Sequence, residues 1–549
     1  MTFAFRHPFW WTPLVSVLLF GCGPSSDTAP FYSTGQVKTP IKVTMSTYAA
    51  ARAADQVSFG TTPAFVAELS QKGLGAWVDE QMALPPTLME PPSWVISYPV
   101  PAVDPEADGR AARYAPDAFY DLSLVARDQL RLRVTWALMQ FIVVGPVGPK
   151  LSAPAYFNLL QKNALGNYGT LLREISTSPS MGTYLGNDNN RPRSAKCIGC
   201  SPNENYAREL LQLFSIGVVQ LNADGSVVRN AQGSPKESYT QKDVSELARA
   251  LTGWRNPPMA TPLPNTVYFN AFVPMIPEDW DGAHDAGSKN VMGTVFPAGQ
   301  TAPQDLDTTV AMLMAHPNIA PFVSLRLIQH LVTSNPTSQY LGRVAAVFRN
   351  NGQGIAGDMK AVIRAILLDP EARLGDVPGA DRSGFGLMRE PVLFYTATLR
   401  GLGCTTTPRN SAGYQHQNGE QTPFNPDSVF SFYLPTDRAP GSNLLSPEQQ
   451  LLSTNELSSR LRYIEWYLLD RNTAAGSGCD LASFGAAYAK SPETFIDMVG
   501  DRWFRGAMPP TLRNNLLELA AANISDTPIR AAAKLLEFAL LTPYFGVIN

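Results

Sequence analysis

The chain is 549 residues long and carries 43 Lys plus Arg against 46 Asp plus Glu, a formal net charge of −3. That near balance excludes a generally basic nucleic-acid binder, so no nucleic acid is expected as a partner. Hydrophobic residues make up 44%, ordinary for a folded globule, while 46 Pro and 41 Gly demand many loops.

In chain order, Arg6 precedes a mainly apolar run from Phe9 to Phe20, too short to span a bilayer and composed like an export signal. The run ends Leu19-Phe20-Gly21-Cys22, which resembles a bacterial lipoprotein cleavage box, although Phe20 is larger than the residue usual there. That likeness implies a signal peptide over residues 1–21 and lipidation of Cys22 as the first mature residue. An ordinary secretory signal with a chance cysteine is the competing reading. Residues 22–45 read as a flexible tether and 46–549 as a single large helical domain. The expected location is the bacterial cell envelope, exported and lipid-anchored to a membrane. Val134–Val144, the most apolar later stretch, is interrupted by Thr135 and Gln140 and stopped by Gly145-Pro146.

Proline-rich breaks fall at residues 84–108, from Asn256 to Pro264, and from Thr405 to Asp427. Between them the helical period dominates. Helices are predicted over Ser123–Val144, Ala155–Ala164, Tyr168–Ser176, Pro202–Ile216 and Gln241–Trp254. Further ones are predicted over Ala320–Thr333, Tyr340–Arg349, Asp358–Leu368, Val392–Arg400 and Pro447–Leu469, with three more between Pro492 and Leu541. Val218–Leu221 and Val227–Asn230 flank Asn222-Ala-Asp-Gly225 and read as a small β-hairpin near 218–230; Val267–Val273 is a weak strand. The fold class is therefore mainly α, a large multi-helix globular body with long irregular loops.

Two helices are legible in detail. Ser201-Pro202-Asn203-Glu204 has the form of a capping box with Pro in the first turn. Tyr206, Ala207, Leu210, Leu211, Leu213 and Phe214 then share one face, leaving Glu204, Asn205, Arg208, Glu209 and Gln212 on the other. Thr240 and Asp243 form a second cap, followed by a buried stripe of Val244, Leu247, Ala248, Leu251 and Trp254. Trp254 reads as packing before it reads as a ligand platform.

Beyond Cys22 there are four cysteines, which allow three pairings in an oxidising compartment. Cys197-Ile-Gly-Cys200 fits a local structural disulfide better than half a zinc site or a redox pair. Cys404 and Cys479 are then expected to pair.

Serine-elbow, phosphate-loop, dinucleotide and zinc-protease motifs are absent from the sequence. His316 reads as a capping or packing residue, His330 as an imidazole at a helix C-terminus, and His416 as a solvated loop residue. His284 has company: Glu278, Asp279, Asp281 and Asp285. The spacing lacks the full EF-hand ligand set, so solvated loop charge is expected and no cofactor is predicted. A divalent metal at Asp279, Asp281, His284 and Asp285 is the weaker alternative.

Asn203 through Gly217, Tyr239-Thr-Gln-Lys-Asp-Val244, Ala250-Leu-Thr-Gly-Trp254, His284-Asp-Ala-Gly-Ser-Lys289 and Met292-Gly293 resemble the bacterial domain-of-unknown-function 1800 family. Asp128–Arg131 with Val134–Gln140, Gly166–Tyr168 with Leu171-Leu172, Pro179–Gly182, Arg389–Pro391, Ser428–Phe430 with Phe432-Tyr433, and Ser446–Glu448 are similar too. The likeness runs from about Ala50 to the C-terminal end. Cys197-Ile-Gly-Cys200 and Ala286 depart from it. The resemblance implies fold and export rather than chemistry; the frequent neighbourhood of genes for an exported sulfatase-like family implies a possible partner.

Two functional expectations follow. The first is a membrane-anchored scaffold or binding lipoprotein acting with an exported partner. The alternative is a metal-assisted or carboxylate/His-based hydrolase with Glu204, Arg208, Glu209, His284 and Asp285 as candidate catalytic residues. Asn205, Trp254, Arg389 and Glu390 would line its pocket. That site requires Arg208 or Glu209 to come within about 10 Å of His284 around a common cavity.

Overall fold

Capping side chains start many of the helices. Ser46, Thr62, Asn167, Thr240, Thr337, Asp358 and Ser491 each accept a hydrogen bond from a backbone N–H two or three residues on, which satisfies donors that the first helical turn leaves open. The structure, a computed structural model, describes residues 45–90, 105–147, 152–258, 269–380, 383–406, 419–469, 479–522 and 527–549. Cys22, the signal and tether up to residue 44, the first part of the Val267–Val273 strand, and His416 lie outside the described residues.

The fold is mainly α, with small two-stranded sheets as its β structure. Two apolar cores organise it. The larger gathers the helices Thr47–Val57, Pro63–Lys72, Leu74–Ala83, Tyr168–Ser176, Asn205–Gln212, Gln241–Ala250, Ile319–Leu331, Ser338–Arg349 and Met359–Leu368. The smaller gathers Pro391–Gly401, Leu481–Lys490, Pro492–Trp503, Pro510–Ala522 and Pro528–Leu540. Helix Gln129–Met139 serves both. Its Leu130, Val134, Ala137 and Leu138 enter the larger core, while Leu132 and Trp136 enter the smaller. A helix covered on every side must also bury its polar residues, here Gln129, Arg131, Arg133 and Thr135.

Several boundaries differ from the sequence expectation. The predicted Ser123–Val144 helix is two helices, Pro105–Val125 and Gln129–Met139. Between them Asp128 turns its carboxylate to Thr87 and Gln161, and the Gln129 amide takes the Ala126 carbonyl at 2.9 Å. Pro447–Leu469 splits into a 3-10 turn, Pro447–Leu451, and an α-helix, Thr454–Leu469.

Leu221 bridges Val227 across Asn222–Gly225, so the predicted hairpin is present as bridged segments. A third arm, residues 235–238, joins it through Val219↔Glu237 and Arg229↔Pro235. The Lys289–Val291/Thr294–Phe296 hairpin had no sequence forecast. Its turn holds Met292 at φ 48° and Gly293 at φ 85°, and a methionine in the left-handed region hides the usual Asn-Gly signature. Cys197 is bonded to Cys200 and Cys404 to Cys479. Among the described residues no helix is long and apolar enough to cross a membrane.

Candidate functional site

Helix Asn205–Gln212 buries Tyr206, Ala207, Leu210 and Leu211, but the predicted capping box before it does not form. Glu204 occupies the N-cap position with no side-chain cap bond. The Asn190 side chain takes the Asn203 N–H at 2.8 Å, and Asn203 Oδ1 takes the Asn205 N–H at 2.9 Å. An Asx turn thus replaces the serine cap. Freed from its own backbone, the Glu204 carboxylate accepts from Ser245 Oγ at 2.6 Å, Gln241 Nε2 at 2.7 Å and Arg208 Nη2 at 2.9 Å. Hydrogen bonds from Ser245 and Gln241, ahead of the charge of Arg208, hold it below the ordinary carboxylate range.

Asp285 meets the same neighbouring helix, Gln241–Ala250, at its other end. Arg249 grips it through two bonds of 2.8 and 3.1 Å and also holds Glu246 at 2.9 Å. Burial pushes the Asp285 carboxyl up, but the hydrogen bonds and charge of Arg249 outweigh it and the net shift is down. Gln241 and Arg249 are eight residues apart, about 12 Å along a helix. The expected meeting of the two motifs is therefore a lattice of ion pairs across an intervening helix. Among the described residues, Arg208 and Glu209 make no hydrogen bond or ion pair to His284 or Asp285. Asn205 is exposed, and Trp254 is buried in the core, its backbone paired with Pro277.

His284 turns inward. Its Nδ1 lies 2.9 Å from the Thr252 carbonyl and its Nε2 3.1 Å from Asp305 Oδ2, which also receives Lys289 Nζ at 2.7 Å. Lys289 and Asp305 side chains are wholly buried. Gly253, at φ 85°, allows this approach, because a Cβ there would sit 2.7 Å from His284 Cβ. Asp305 carried no sequence signal. The acids around His284 disperse: Glu278 pairs with Arg191 at 2.7 Å, and Asp279 and Asp281 are exposed. Among the described residues no three His, Cys, Asp or Glu side chains are grouped to hold a metal ion.

Arg389 and Glu390 belong elsewhere, to a second polar network where the two cores meet. Arg389 pairs with Asp55 at 3.2 Å beneath the Phe545 ring. Glu390 occupies the N-cap position of helix Pro391–Gly401 with no side-chain cap bond. Its carboxylate accepts from Trp136 Nε1 at 2.6 Å, Gln421 Nε2 at 2.8 Å and Tyr433 OH at 3.1 Å. Arg133, 1% exposed, donates Nη2 to the His330 carbonyl at 2.6 Å, while its Nε and Nη1 find no acceptor among the described residues. Glu448, buried between Ser334 and the charge of Glu390, is pushed up to about 8, chiefly by burial.

This network floors two shallow clefts that share Gln140. One, of about 20 Å³, lies between Trp136, Tyr156 and the loop carrying Phe424, Ser431 and Phe432. The other, of about 30 Å³, is lined by Phe141, Leu213, Arg326, His330, Phe430 and Tyr433, among others. Each has room for a water or two, or for the head of a larger ligand. Phe424 and Ser431 both sit at φ 69°, a strained conformation for side-chain-bearing residues that gathers at ligand sites. His330 stacks on Phe141 at 6.2 Å with 6° between planes. Burial, then the charges of Arg326 and Arg133, push its imidazole down to about 3, so the ring is uncharged near neutral pH. Ser431 Oγ donates to Gln140 Oε1 at 3.1 Å and is 2% exposed, which leaves it poorly placed as a nucleophile for His330 to activate. The geometry suits binding better than acyl transfer.

Sequence reasoning had marked Gln140 only as a polar interruption in an apolar run and His330 only as a helix-end residue. Their role depends on residues 326–330, 390, 421–433 and 448, which chain periodicity cannot bring together. The stretches Val134–Gln140, Arg389–Pro391, Ser428–Tyr433 and Ser446–Glu448, quoted above for their resemblance, are the ones that build the network and its clefts.

The fold and site define a large, mainly α body whose polar interior surfaces in shallow clefts between two cores. The chain belongs to the family described as Protein of unknown function (DUF1800), whose model matches residues 52–547. No curated protein and no solved structure matches it.

Proposed function

We propose that the protein is an exported, membrane-anchored lipoprotein that binds a ligand at the Gln140 clefts and acts as a scaffold or binding component beside an exported partner. The sulfatase-like family implied by the resemblance supplies the candidate for that partner. Anchoring rests on Leu19-Phe20-Gly21-Cys22 at the end of a short apolar run. Binding rests on one observation: Gln140, Arg326, His330 and Tyr433, from three distant stretches, line one cleft, where Arg326 spends a single hydrogen bond on the protein. Two measurements test the reading. Fatty-acid probe labelling should mark wild type and not Cys22→Ala; equal labelling refutes the anchor. Filling the larger cleft by Leu213→Trp should abolish retention of a co-purifying ligand or partner, and unchanged retention refutes the site.

A second reading, a carboxylate/His-based hydrolase, is favoured by the 3.1 Å contact between His284 Nε2 and the buried Asp305. Turnover of ester, amide or phosphoester probes by wild type and its loss in His284→Gln would establish it.

A further inference from the structure

We propose that the cleft lined by Arg326, His330 and Gln140 binds the carboxylate of a ligand that also carries an apolar or aromatic group, with Arg326 as the partner of the anion. The inference rests on the binding reading above and adds the chemical class of the ligand.

Arg326 differs from Arg52, Arg389, Arg460 and Arg400 in how little of its guanidinium the protein engages. Arg52 faces Asp376 at 2.7 Å, Arg389 faces Asp55 at 3.2 Å, and Arg460 faces Glu456 at 2.8 Å. Among the described residues Arg400 pairs with no carboxylate, but three carbonyl oxygens take its N–H groups, those of Gly60, Ser123 and Leu124. Arg326 stands in the cleft wall, 5.3 Å over the Phe322 ring, with one hydrogen bond, Nη1 to Gln329 Oε1 at 3.0 Å. A guanidinium carries five N–H donors. Arg326 is half-buried, and among the described residues its other four donors meet no protein acceptor, so they face the cleft and solvent. Burial alone brings its pKa down to about 10, so it remains charged at neutral pH. Its unspent donors at the wall of the cleft leave a guanidinium fork that a ligand anion can occupy in place of water.

The surrounding charge has the matching sign. Arg133 lies behind His330 as a second buried cation. Of the nearby acids, Glu390 already receives three donors, and Glu448, pushed up to about 8, holds its proton near neutrality. Gln140 keeps a weakly used amide, its Nε2 3.5 Å from the Trp136 carbonyl. A planar carboxylate suits the guanidinium fork. Phe141, Leu213, Phe430 and Pro435 line the rest of the cleft with apolar surface, which fits a carboxylate borne on an apolar or ring-containing body better than a fully hydrated inorganic anion.

The test uses the full chain in detergent, with 4-fluorobenzoate observed by fluorine NMR and 4-fluorobenzamide and sulfate as comparators. The expected result is saturable binding of the benzoate, much weaker binding of the neutral amide, and poor competition by sulfate. Arg326→Gln should weaken benzoate binding by about tenfold to a hundredfold, and Arg326→Lys should restore part of it. Leu213→Trp, which fills the cleft and leaves the charge, should block binding; unchanged circular dichroism certifies that all three variants fold. Benzamide binding as tightly as benzoate, with Leu213→Trp still blocking both, overturns the carboxylate assignment and leaves the binding site standing. Benzoate binding that ignores both variants, sulfate competing as an equal, or no saturable benzoate binding overturns the assignment as well.

Discussion

Two polar networks in this body follow opposite rules. Around helix Gln241–Ala250, near the surface, charge meets opposite charge: Glu204 with Arg208, Glu246 and Asp285 with Arg249. Asp243 adds a bond to the Met292 N–H at 2.7 Å. Such a lattice fixes loops and leaves little for a ligand to do. Around Glu390 the charges are buried, two nitrogens of Arg133 meet no acceptor among the described residues, and Trp136 and Tyr433 carry the network to the clefts. The contrast teaches that the richest cluster of charged motifs marks a clamp here, whereas the sparse, buried set leaves polar groups unmatched.

The largest effect that would sharpen this contrast is expected at Glu390. Glu390→Ala strands the Trp136, Gln421 and Tyr433 donors and should destabilise by about 3–5 kcal/mol in denaturant titrations. A loss below about 1 kcal/mol would place the interior network on the same footing as the surface one.

Next comes pH. Folded Glu448 titrates at about 8, against roughly 4.3 when unfolded, so over that window the folded state holds a proton that the unfolded state has lost. Stability therefore falls as pH rises toward 8. His330, titrating at about 3 when folded and roughly 6.5 when unfolded, contributes the opposite slope, stability rising with pH between those values. Between about 6.5 and 8 the glutamate acts without that opposition. Glu448→Gln should flatten this region and, at pH 9, stabilise relative to wild type by on the order of 3 kcal/mol. A wild-type stability that rises with pH from 6.5 to 8, followed by urea titration, would contradict this assignment.

The surface lattice should respond weakly. Arg249→Gln removes partly exposed pairs with Glu246 and Asp285, and about 1 kcal/mol is expected after solvent screening. Smallest of all, a double-mutant cycle on Glu204 and Arg208 should return about 0.3–0.5 kcal/mol, shrinking as salt is raised. A coupling above about 2 kcal/mol that is insensitive to salt would mean that Glu204 belongs to a dehydrated site after all.

Local rules were legible where their partners are local. The Thr240–Asp243 capping box forms with both reciprocal bonds, and the apolar face of Tyr206, Ala207, Leu210 and Leu211 is buried. The Glu204 cap failed because Asn190, thirteen residues before Asn203, supplies the competing acceptor. Glu390 and His330 gain their environment from partners such as Trp136, 254 residues from Glu390, and Arg133, 197 residues from His330. Helix period identifies which face is buried, not which helix covers it. Arg326 went unnoticed for the same reason: an arginine on an apolar helix looks like a snorkelling surface residue until its surroundings are assembled.

Helix Thr47–Val57 carries a consequence for the time course of folding. Its Arg52 is held by the Ala372 carbonyl and Asp376, 320 and 324 residues downstream, and its Asp55 by Arg389 and Arg505, 334 and 450 residues downstream. A nascent chain presents this segment hundreds of residues before its counter-charges exist. Contacts of such separation close late, because the entropy of closing the loop precedes any reward from the pairing. Helix Thr47–Val57 can pack early on Pro63–Lys72, but its buried charges wait for the far end of the chain, and any fragment ending before Arg505 leaves Asp55 short of one of its two arginines.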